Sequence, residues 1–230
     1  MRTTSTTRLV GLPPVEPSKL TAPGFGFSGG CVDTCHGRIT RPRLSGRPLG
    51  AERVITIRHM EASELDRIGE IDRSEHVTQE YSYRRGSLEK RTVDVVVPTW
   101  SRSGDHEHSI HGRVNAWQPI LDRGGTLVGA FDADTLAGFA IYQPHLAEGI
   151  ANLSVLYVSR NYRRRGIGSL LAGEVARLAR FDGARRLYVS ATPSGSTVEF
   201  YRSHGFEPTD EPNQALFALE PHDIHMILDL

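Results

Sequence analysis

The sequence has no long apolar run, no net charge and few cysteines, and each of these shortages narrows the classes of protein that it can encode. Its 230 residues carry 27 basic and 27 acidic side chains, so no global charge favours nucleic acid or a membrane surface. No apolar segment approaches the ~20 residues of a spanning helix, and the N-terminus lacks the apolar stretch of a secretory signal. We therefore expect a cytoplasmic protein that binds neither membranes nor nucleic acid.

Cysteine occurs only at Cys31 and Cys35. The absence of cysteine after these positions fits a reducing compartment. Together with His36 the two thiols could ligate a metal, but three ligands without a fourth nearby form a weak set. Free surface thiols are the simpler interpretation, and we expect no metal.

Residues 1–50 differ in composition from the rest of the chain. They hold seven basic and two acidic residues, which leaves 20 basic and 25 acidic residues for the remainder. Proline and glycine pairs interrupt any periodicity there, and the arginines are not interleaved with aromatic residues as in nucleic-acid-binding segments. We predict a disordered extension over residues 1–50 and one folded domain over residues 51–230.

Hydrophobic periodicity predicts the elements of that domain. A strand is expected near residues 54–58, and helical spacing follows to about residue 74 from an N-cap at Ser63. Segments 81–85 and 88–97 are rich in strand formers and flank a glycine turn, which predicts a hairpin. The other predicted elements are a helix at 110–122, strands at 126–131, 136–142 and 150–158, a helix at 166–180, a strand at 187–191 parallel to the one before it, a helix at 196–204, and closing strands at 215–219 and 224–230.

The segment Tyr162–Leu171 contains three consecutive arginines and two glycines between a predicted strand and a predicted helix. Glycine lets backbone N–H groups approach a ligand closely. The start of a helix adds unpaired donors and the positive end of the dipole, and arginine adds charge for a polyanion. The spacing is that of neither a Walker loop nor a dinucleotide-binding loop. The order of strand, basic glycine loop and helix predicts a site for a ligand that carries phosphates.

Written as R-x-x-G-x-G, with Arg163, Gly166 and Gly168, this loop resembles the acetyl-CoA loop of the GNAT N-acetyltransferase superfamily. The segments Leu156–Val158 and Phe200–Phe206 match the family pattern in the same order. The resemblance covers nearly the whole predicted domain. It implies an α/β (α+β) fold with a mixed, mostly antiparallel sheet of about seven strands flanked by helices. It also implies a V-shaped splay between the strands before and after the central helix.

The resemblance further implies a role for each part of the site. Backbone N–H groups of the loop bind the diphosphate of acetyl-CoA, and the arginine side chains screen its charge. The pantetheine arm follows the strand that ends at Val158, whose N–H polarises the thioester carbonyl. Tyr201 protonates the departing thiolate, and Ser194 stands where many members carry an asparagine that contacts the pantetheine. The cofactor-binding residues implied in this way are Leu156, Tyr157, Val158, Arg163, Arg164, Arg165, Gly166, Ile167, Gly168, Ser169 and Ser194.

A general base for the acceptor amine is not evident, because Ser154 occupies the position where family members frequently carry an acid. The candidates that could replace it are His145, Glu148 and Glu80, and a chain of waters is an alternative. The expected lining of the acceptor pocket is Tyr81, Tyr83, Trp100 and His145, with Glu80, Asp94 and Asp223 as partners for a cation.

These features together predict an acetyl-CoA-dependent N-acetyltransferase in which a primary amine attacks the thioester directly in a ternary complex. A covalent acetyl-cysteine route is disfavoured, because the predicted domain has no cysteine. The alternative is a catalytically inactive acyl-CoA-binding module that senses the cofactor or regulates a partner. The missing strand carboxylate favours that alternative, whereas Tyr201 argues against it. Family members often pair through their last strands, so a homodimer is compatible with the resemblance.

Overall fold

A computed structural model of the chain describes residues 54–84 and 86–230. The predicted extension at residues 1–50 and both cysteines lie outside the described residues, and the domain boundary stays a prediction. Among the described helices, none has both the length and the apolar character required to span a bilayer. The elements are β1 (Ile55–Met60), a 3-10 helix (Ala62–Glu70), β2 (Glu75–Arg84), β3 (Ser87–Val97), α1 (Ile110–Asp122), β4 (Thr126–Asp132), β5 (Thr135–Ala147), β6 (Ile150–Val158), a second 3-10 helix (Arg160–Tyr162), α2 (Ile167–Phe181), β7 (Arg186–Ala191), α3 (Gly195–Ser203), β8 (Glu207–Pro208), α4 (Gln214–Leu219) and β9 (Ile224–Asp229).

Seven of the strands form one sheet in the order β1-β4-β5-β6-β7-β9-β8, and β2 pairs with β3 in a separate hairpin. Only the β6–β7 pair is parallel, because α2 intervenes between these two strands and carries the chain back to the same end of the sheet. The remaining pairs of the large sheet are antiparallel. This confirms the expected fold class and the strand number.

Strands β6 and β7 separate after a short paired segment. Pairing covers only Ile150–Asn152 of β6 and Arg186–Tyr188 of β7, although β6 continues to Val158. Ser154 has no partner in the register with β5, so it is the extra residue of a β-bulge. A bulge bends its strand and increases the local twist. The bulge therefore accounts for a V-shaped opening at the carboxyl end of β6.

The sheet has a hydrophobic core on each face, because successive side chains of a strand point to opposite sides. On one face, α2 and α3 cover a core that includes Leu171, Val175 and Val198. On the other face, α1 and the first 3-10 helix cover a core that includes Leu65, Trp117 and Phe139. The opening between β6 and β7 connects these two faces, and it therefore brings residues from both cores close to one site.

The prediction of a strand over residues 215–219 is wrong, because this segment is helix α4. The side-chain oxygen of Asn213 accepts hydrogen bonds from the N–H groups of Ala215 and Leu216, both at 3.1 Å. Asn213 is thus the N-cap of α4. The apolar pattern of residues 215–219 does not indicate this helix start. The strand before β9 is instead the two-residue β8.

The first predicted helix also differs in detail, since it is a 3-10 helix that begins after Glu61 and not at Ser63. The carboxylate of Glu64 accepts a hydrogen bond from the N–H of Glu61 at 3.0 Å. This interaction satisfies a donor that would otherwise be unpaired at the start of the helix. Glu64, the third residue of the helix, therefore fixes the N-cap at Glu61. This is two residues before the predicted N-cap at Ser63.

The β2–β3 hairpin docks on α3 and on the chain that precedes it. The N–H of Tyr81 donates to the carbonyl of Pro193 at 2.7 Å, and Lys90 Nζ donates to Glu199 at 2.7 Å. Ser196 Oγ donates to Glu75 at 2.6 Å. The hairpin predicted from strand formers and a glycine turn is confirmed, and β2 runs beside the opening between β6 and β7.

Candidate active site

The loop between β6 and α2 presents a row of backbone donors without partners. Leu170 makes the first backbone hydrogen bond of α2, to Gly166 at 3.0 Å. None of the N–H groups from Arg164 to Ser169 donates to another described residue. Arg164 and Gly166 have left-handed backbones, with φ of 63° and 78°. When left-handed residues alternate with residues of right-handed conformation, successive N–H groups point into one concavity. Such a concavity can bind an anion. The loop therefore has the geometry expected of a diphosphate site.

The three arginines of this loop play different structural roles. Arg163 donates to the carbonyls of Val158, Ser74 and Arg73 at 3.0 to 3.1 Å. Its guanidinium thus joins the loop to the segment before β2, and each of its three nitrogens already has an acceptor. Arg164 and Arg165 are exposed. The expectation that arginine side chains screen a ligand's charge therefore applies to these two residues, and Arg163 holds the loop in position.

The first turn of α2 is braced against its surroundings. The Ile167 side chain is buried in the core, so only its backbone is available to a ligand. A Cβ on Gly168 would lie 3.0 Å from the Phe200 ring, which shows that this glycine permits close packing of α2 on α3. Ser169 Oγ lies 2.9 Å from Nε2 of His204 at the end of α3. These contacts fix the direction of the free N–H groups.

The free edge of β6 faces the opening. The N–H of Ser159 donates to the carbonyl of Ala137 on β5 at 2.9 Å. Because neighbouring residues of an antiparallel strand point their backbone groups in opposite directions, the N–H groups of Leu156 and Val158 point away from β5. The paired segment of β7 ends before it reaches them. An extended ligand in the opening can therefore pair with this edge, as the sequence predicted.

Ser194 is the N-cap of α3. Its hydroxyl accepts from the N–H of Thr197 at 3.4 Å and lies 2.9 Å from the Thr197 hydroxyl. Its backbone also forms a β-bridge with Glu80 of β2. These local contacts already account for the Ser194 side chain, and the contact with pantetheine stays a prediction.

Tyr201 lies on the inner side of α3 with only 5% of its surface exposed. Its ring packs edge-on against Phe200 at 5.3 Å and Phe206 at 5.2 Å. Its hydroxyl forms no hydrogen bond with a described residue. Burial raises the pKa of this phenol, and the phenol of Tyr157 and the carboxylate of Asp223 raise it further. Tyr201 is therefore held in the neutral form, which can donate a proton.

Asp223 stands directly before β9. Its carboxylate is the acidic group whose charge raises the pKa of Tyr201. Burial raises the pKa of its carboxyl to about 7, with a further contribution from the charge of Glu220. The charge of Asp223 also raises the pKa of the buried Tyr157 phenol. A carboxyl with a pKa near neutral is suited to proton transfer. Sequence analysis named Asp223 only as a partner for a cation, because its burial depends on the packing of β9.

The other candidates for a base lie elsewhere or already have partners. His145 and Glu148 flank the turn between β5 and β6, at the opposite end of β6 from Val158. Glu80 pairs with Arg91. Ser154 Oγ takes part in a small network with Asn152 and Gln143. Asp223, by contrast, is the carboxyl whose charge raises the pKa of the Tyr201 phenol.

Arg73 is a buried arginine that is absent from the sequence-based expectations and lies beside Tyr157 of β6. Arg73 is 8% exposed, and its guanidinium lies over the Trp100 ring at 4.3 Å. Trp100 in turn packs edge-on against Tyr157 at 5.3 Å. The predicted lining residue Trp100 is therefore at the site. Tyr81, by contrast, directs its hydroxyl to Glu199, and Asp94 pairs with His76 on the exposed hairpin.

A cavity of about 250 Å³ lies at the opposite edge of the sheet, beside β1 and β4. Its two guanidinium groups are already paired, Arg58 with Glu64 at 2.7 Å and Arg67 with Glu70 at 2.6 Å. Two strands of the sheet, β4 and β5, separate β1 from β6. The cavity is therefore distinct from the opening, and neither of its guanidinium groups is free to bind a ligand.

Comparison with known proteins agrees with this geometry. Residues 90–206, slightly more than half of the chain, match the acetyltransferase (GNAT) family. Comparison with curated proteins gives no match. A solved nourseothricin acetyltransferase is similar at 18% identity and a TM-score of 0.57, over 76% of this chain and 98% of its own.

Two further structures contain the cofactor or its product. The PaiA N-acetyltransferase of Thermoplasma acidophilum, in complex with coenzyme A, is similar at 19% identity and a TM-score of 0.51, over 77% of this chain and 99% of its own. A protein of Bacillus anthracis assigned as a streptothricin acetyltransferase, in complex with acetyl coenzyme A, is similar at 17% identity and a TM-score of 0.56, over 77% and 99%. Given the family match and the shared fold, this chain belongs to the acetyltransferase (GNAT) family.

Proposed function

We propose that the protein is an acetyl-CoA-dependent N-acetyltransferase that acts on a primary amine by direct attack in a ternary complex. The observation that supports this most strongly is the row of free N–H groups from Arg164 to Ser169. It is joined by the buried Tyr201, whose phenol interacts with that of Tyr157 on β6. The loop can hold the diphosphate of a thioester carrier, and Tyr201 can protonate the thiolate that leaves.

The loop and the free edge of β6 bind the co-substrate. The N–H groups of residues 164–169 donate to the diphosphate, and the exposed side chains of Arg164 and Arg165 add positive charge. Leu156 and Val158 pair with the pantetheine amides as a neighbouring strand would. Complexes of similar proteins with acetyl coenzyme A and coenzyme A support this use of the fold.

Acetyl-CoA supplies an acetyl group on a thioester, whose C–S bond breaks as the amine nitrogen forms a C–N bond to the carbonyl carbon. The N–H of Val158 donates to the carbonyl oxygen, which gains negative charge during the attack. Tyr201 gives its proton to the departing sulfur. The raised pKa of this phenol keeps it protonated until the thiolate forms.

Asp223 accepts the proton that the amine loses. An alkylamine has a pKa of ~10 in water, so it must be deprotonated before or during attack. Asp223, with a pKa of about 7, is ionised in about half of the molecules at neutral pH and can take that proton directly or through water. An ammonium ion loses two protons on its way to an amide. Asp223 takes the first before attack and passes it to water, and the second, lost as the amide forms, returns to the tyrosinate that remains when Tyr201 has protonated the sulfur.

The test is a screen of primary amines with acetyl-CoA in which release of the CoA thiol is measured. We expect turnover with at least one acceptor and an N-acetylated product of the corresponding mass. The specific alternative is the inactive sensor, which the missing acid at Ser154 favours. Calorimetric binding of acetyl-CoA without turnover on any amine would support the sensor and contradict the proposal.

A further inference from the structure

Part of the buried Arg73 guanidinium has no hydrogen-bond partner among the described residues. The atoms concerned are Nε and Nη2, and both are fully buried. Such a charge is costly to bury, and buried arginines are normally paired with a carboxylate. The main chain at Arg73 is fixed, because its carbonyl accepts a hydrogen bond from Arg163 at 3.0 Å. The position of the side chain is therefore a property of the fold.

The Tyr157 phenol forms a hydrogen bond with Arg73. The charges of Glu107 and Arg113 act on the Arg73 guanidinium in opposite directions. None of these groups supplies a partner for Nε or Nη2. The Trp100 ring covers one face of the guanidinium at 4.3 Å, which leaves the N–H edge free. The Nε1 atom of Trp100 is itself buried without a partner. Arg113 lies nearby over Trp117 at 5.6 Å and donates to the main-chain oxygen of Glu107. Three of the four buried atoms without partners in the described residues thus belong to the stacked pair Arg73–Trp100.

This cluster adjoins the proposed reaction centre. Trp100 contacts the Tyr157 ring at 5.3 Å, and Tyr157 belongs to the free edge of β6. The charges of Arg73 and of Asp223 both act on the Tyr157 phenol, in opposite directions. A cationic group and an acidic group therefore flank one aromatic side chain beside the opening.

We propose that Arg73 and Trp100 bind a carboxylate of the acceptor, so that the acceptor is an amino acid and not a simple amine. This inference rests on the proposed function. A planar carboxylate accepts two hydrogen bonds from a guanidinium edge and satisfies the free donors. The amino group of the same molecule then lies toward Asp223, which matches the two charges of an amino acid.

The experiment compares matched acceptors with the full-length protein at saturating acetyl-CoA. Alanine, phenylalanine, glutamate and lysine are each paired with the corresponding carboxamide and with the amine that lacks the carboxyl group. We expect the preferred amino acid to exceed its carboxamide in kcat/KM by about tenfold to a hundredfold, the range of a charge-assisted hydrogen-bonded pair. Arg73→Met should reduce this ratio to about one, while the exposed matched control Arg123→Met leaves it unchanged.

Intrinsic fluorescence provides a readout that does not depend on turnover. Trp100 and Trp117 are the two tryptophans of the chain, and both lie in this cluster. Adding the preferred amino acid should change the emission of the native protein, whereas its carboxamide should not, and Arg73→Met should abolish the response. The same substitution should raise the Tm of the ligand-free protein, because it removes a buried charge that lacks part of its hydrogen bonds, and this outcome also shows that the variant folds.

The possible failures are distinguishable. Equal turnover of acids and carboxamides, unaffected by Arg73→Met, would refute the carboxylate site and leave the acetyltransferase intact. A carboxylate-specific fluorescence response without turnover of any acceptor would refute the proposed function and retain the site. A preference for O-phosphoethanolamine over every amino acid would also contradict the inference, since the site would then select phosphate.

Discussion

The two sides of the opening between β6 and β7 use different chemistry. On the cofactor side, the donors are main-chain N–H groups of six consecutive residues, 164–169, and their direction is set by left-handed backbones and a helix start. On the acceptor side, the groups are the side chains of Arg73, Trp100, Tyr157, Tyr201 and Asp223, which come from five separate parts of the chain.

This difference predicts how each side responds to amino-acid substitution. A main-chain cradle depends on backbone conformation and tolerates most exchanges of side chains. A side-chain cluster depends on the identity of each residue and on the packing that holds it. We therefore expect substitutions on the acceptor side to change turnover and those in the loop to change affinity for acetyl-CoA.

The largest effect is expected from Tyr201→Phe. Removal of the hydroxyl eliminates the proposed proton donor and should lower kcat by about 100-fold or more. The Kd of acetyl-CoA should stay unchanged, because the hydroxyl has no other partner. Tyr142→Phe is the matched control: its hydroxyl bonds Asp182 at 2.8 Å, away from the opening, so that variant should lose stability and keep its kcat. Steady-state kinetics and calorimetry measure both quantities, and a normal kcat for Tyr201→Phe would remove this residue from the mechanism.

The next effect concerns the pH dependence that Asp223 should impose. The carboxyl must be ionised to accept a proton, so kcat/KM should fall as the pH decreases through about 7. The buried His225 nearby has a pKa below its ordinary value, so it is neutral in this range. Asp223→Asn should lower kcat by about 100-fold at neutral pH and abolish this acidic limb.

Glu220→Gln offers a sharper test of the same group. The charge of Glu220 contributes to the raised pKa of Asp223, so its removal should move the acidic limb to lower pH without loss of the maximal rate. A profile that does not move in this variant and persists in Asp223→Asn would assign the proton acceptor elsewhere.

A smaller effect, on cofactor affinity, is expected from the charge at position 166. Gly166 has a left-handed backbone and open space around its Cβ position, and asparagine and aspartate both tolerate that conformation. Gly166→Asp should weaken acetyl-CoA binding about tenfold relative to Gly166→Asn, because the two differ only in a negative charge beside the diphosphate. Equal Kd values for the two variants would place the diphosphate elsewhere.

The smallest effect on affinity is expected within the arginine run. Arg163→Met should lower the free energy of unfolding by about 2 kcal/mol, because it removes hydrogen bonds from a charged donor to three carbonyls. Arg165→Met should leave stability within about 0.5 kcal/mol and weaken acetyl-CoA binding a fewfold. Denaturant unfolding and calorimetry separate the two roles. Identical losses of stability would show that the arginines are not divided in this way.

Much of the fold was predictable, because local chemistry and tertiary packing agree in most elements. The helix at 110–122 and the strand at 150–158 have the predicted bounds, since their apolar periodicity matches the face that they bury. Segment 215–219 was assigned wrongly, because a short apolar run does not distinguish a strand from a helix and Asn213 acts only once its side chain caps the turn. The loop conformation at residues 164–169 was predictable because it depends on glycine and on a helix start, which are local properties.

By itself, the sequence determined where the basic glycine loop lies and which family pattern surrounds it, because backbone conformation is fixed by residues that are adjacent in the chain. Only the tertiary structure decided that Arg163 joins the loop to the segment before β2 and that burial raises the pKa of Asp223. It also decided that two Arg73 nitrogens are buried with no partner in the described part of the chain. The reason is physical: a side chain's burial and the charges around it are set by residues distant in sequence, which come together only when the sheet and its helices pack.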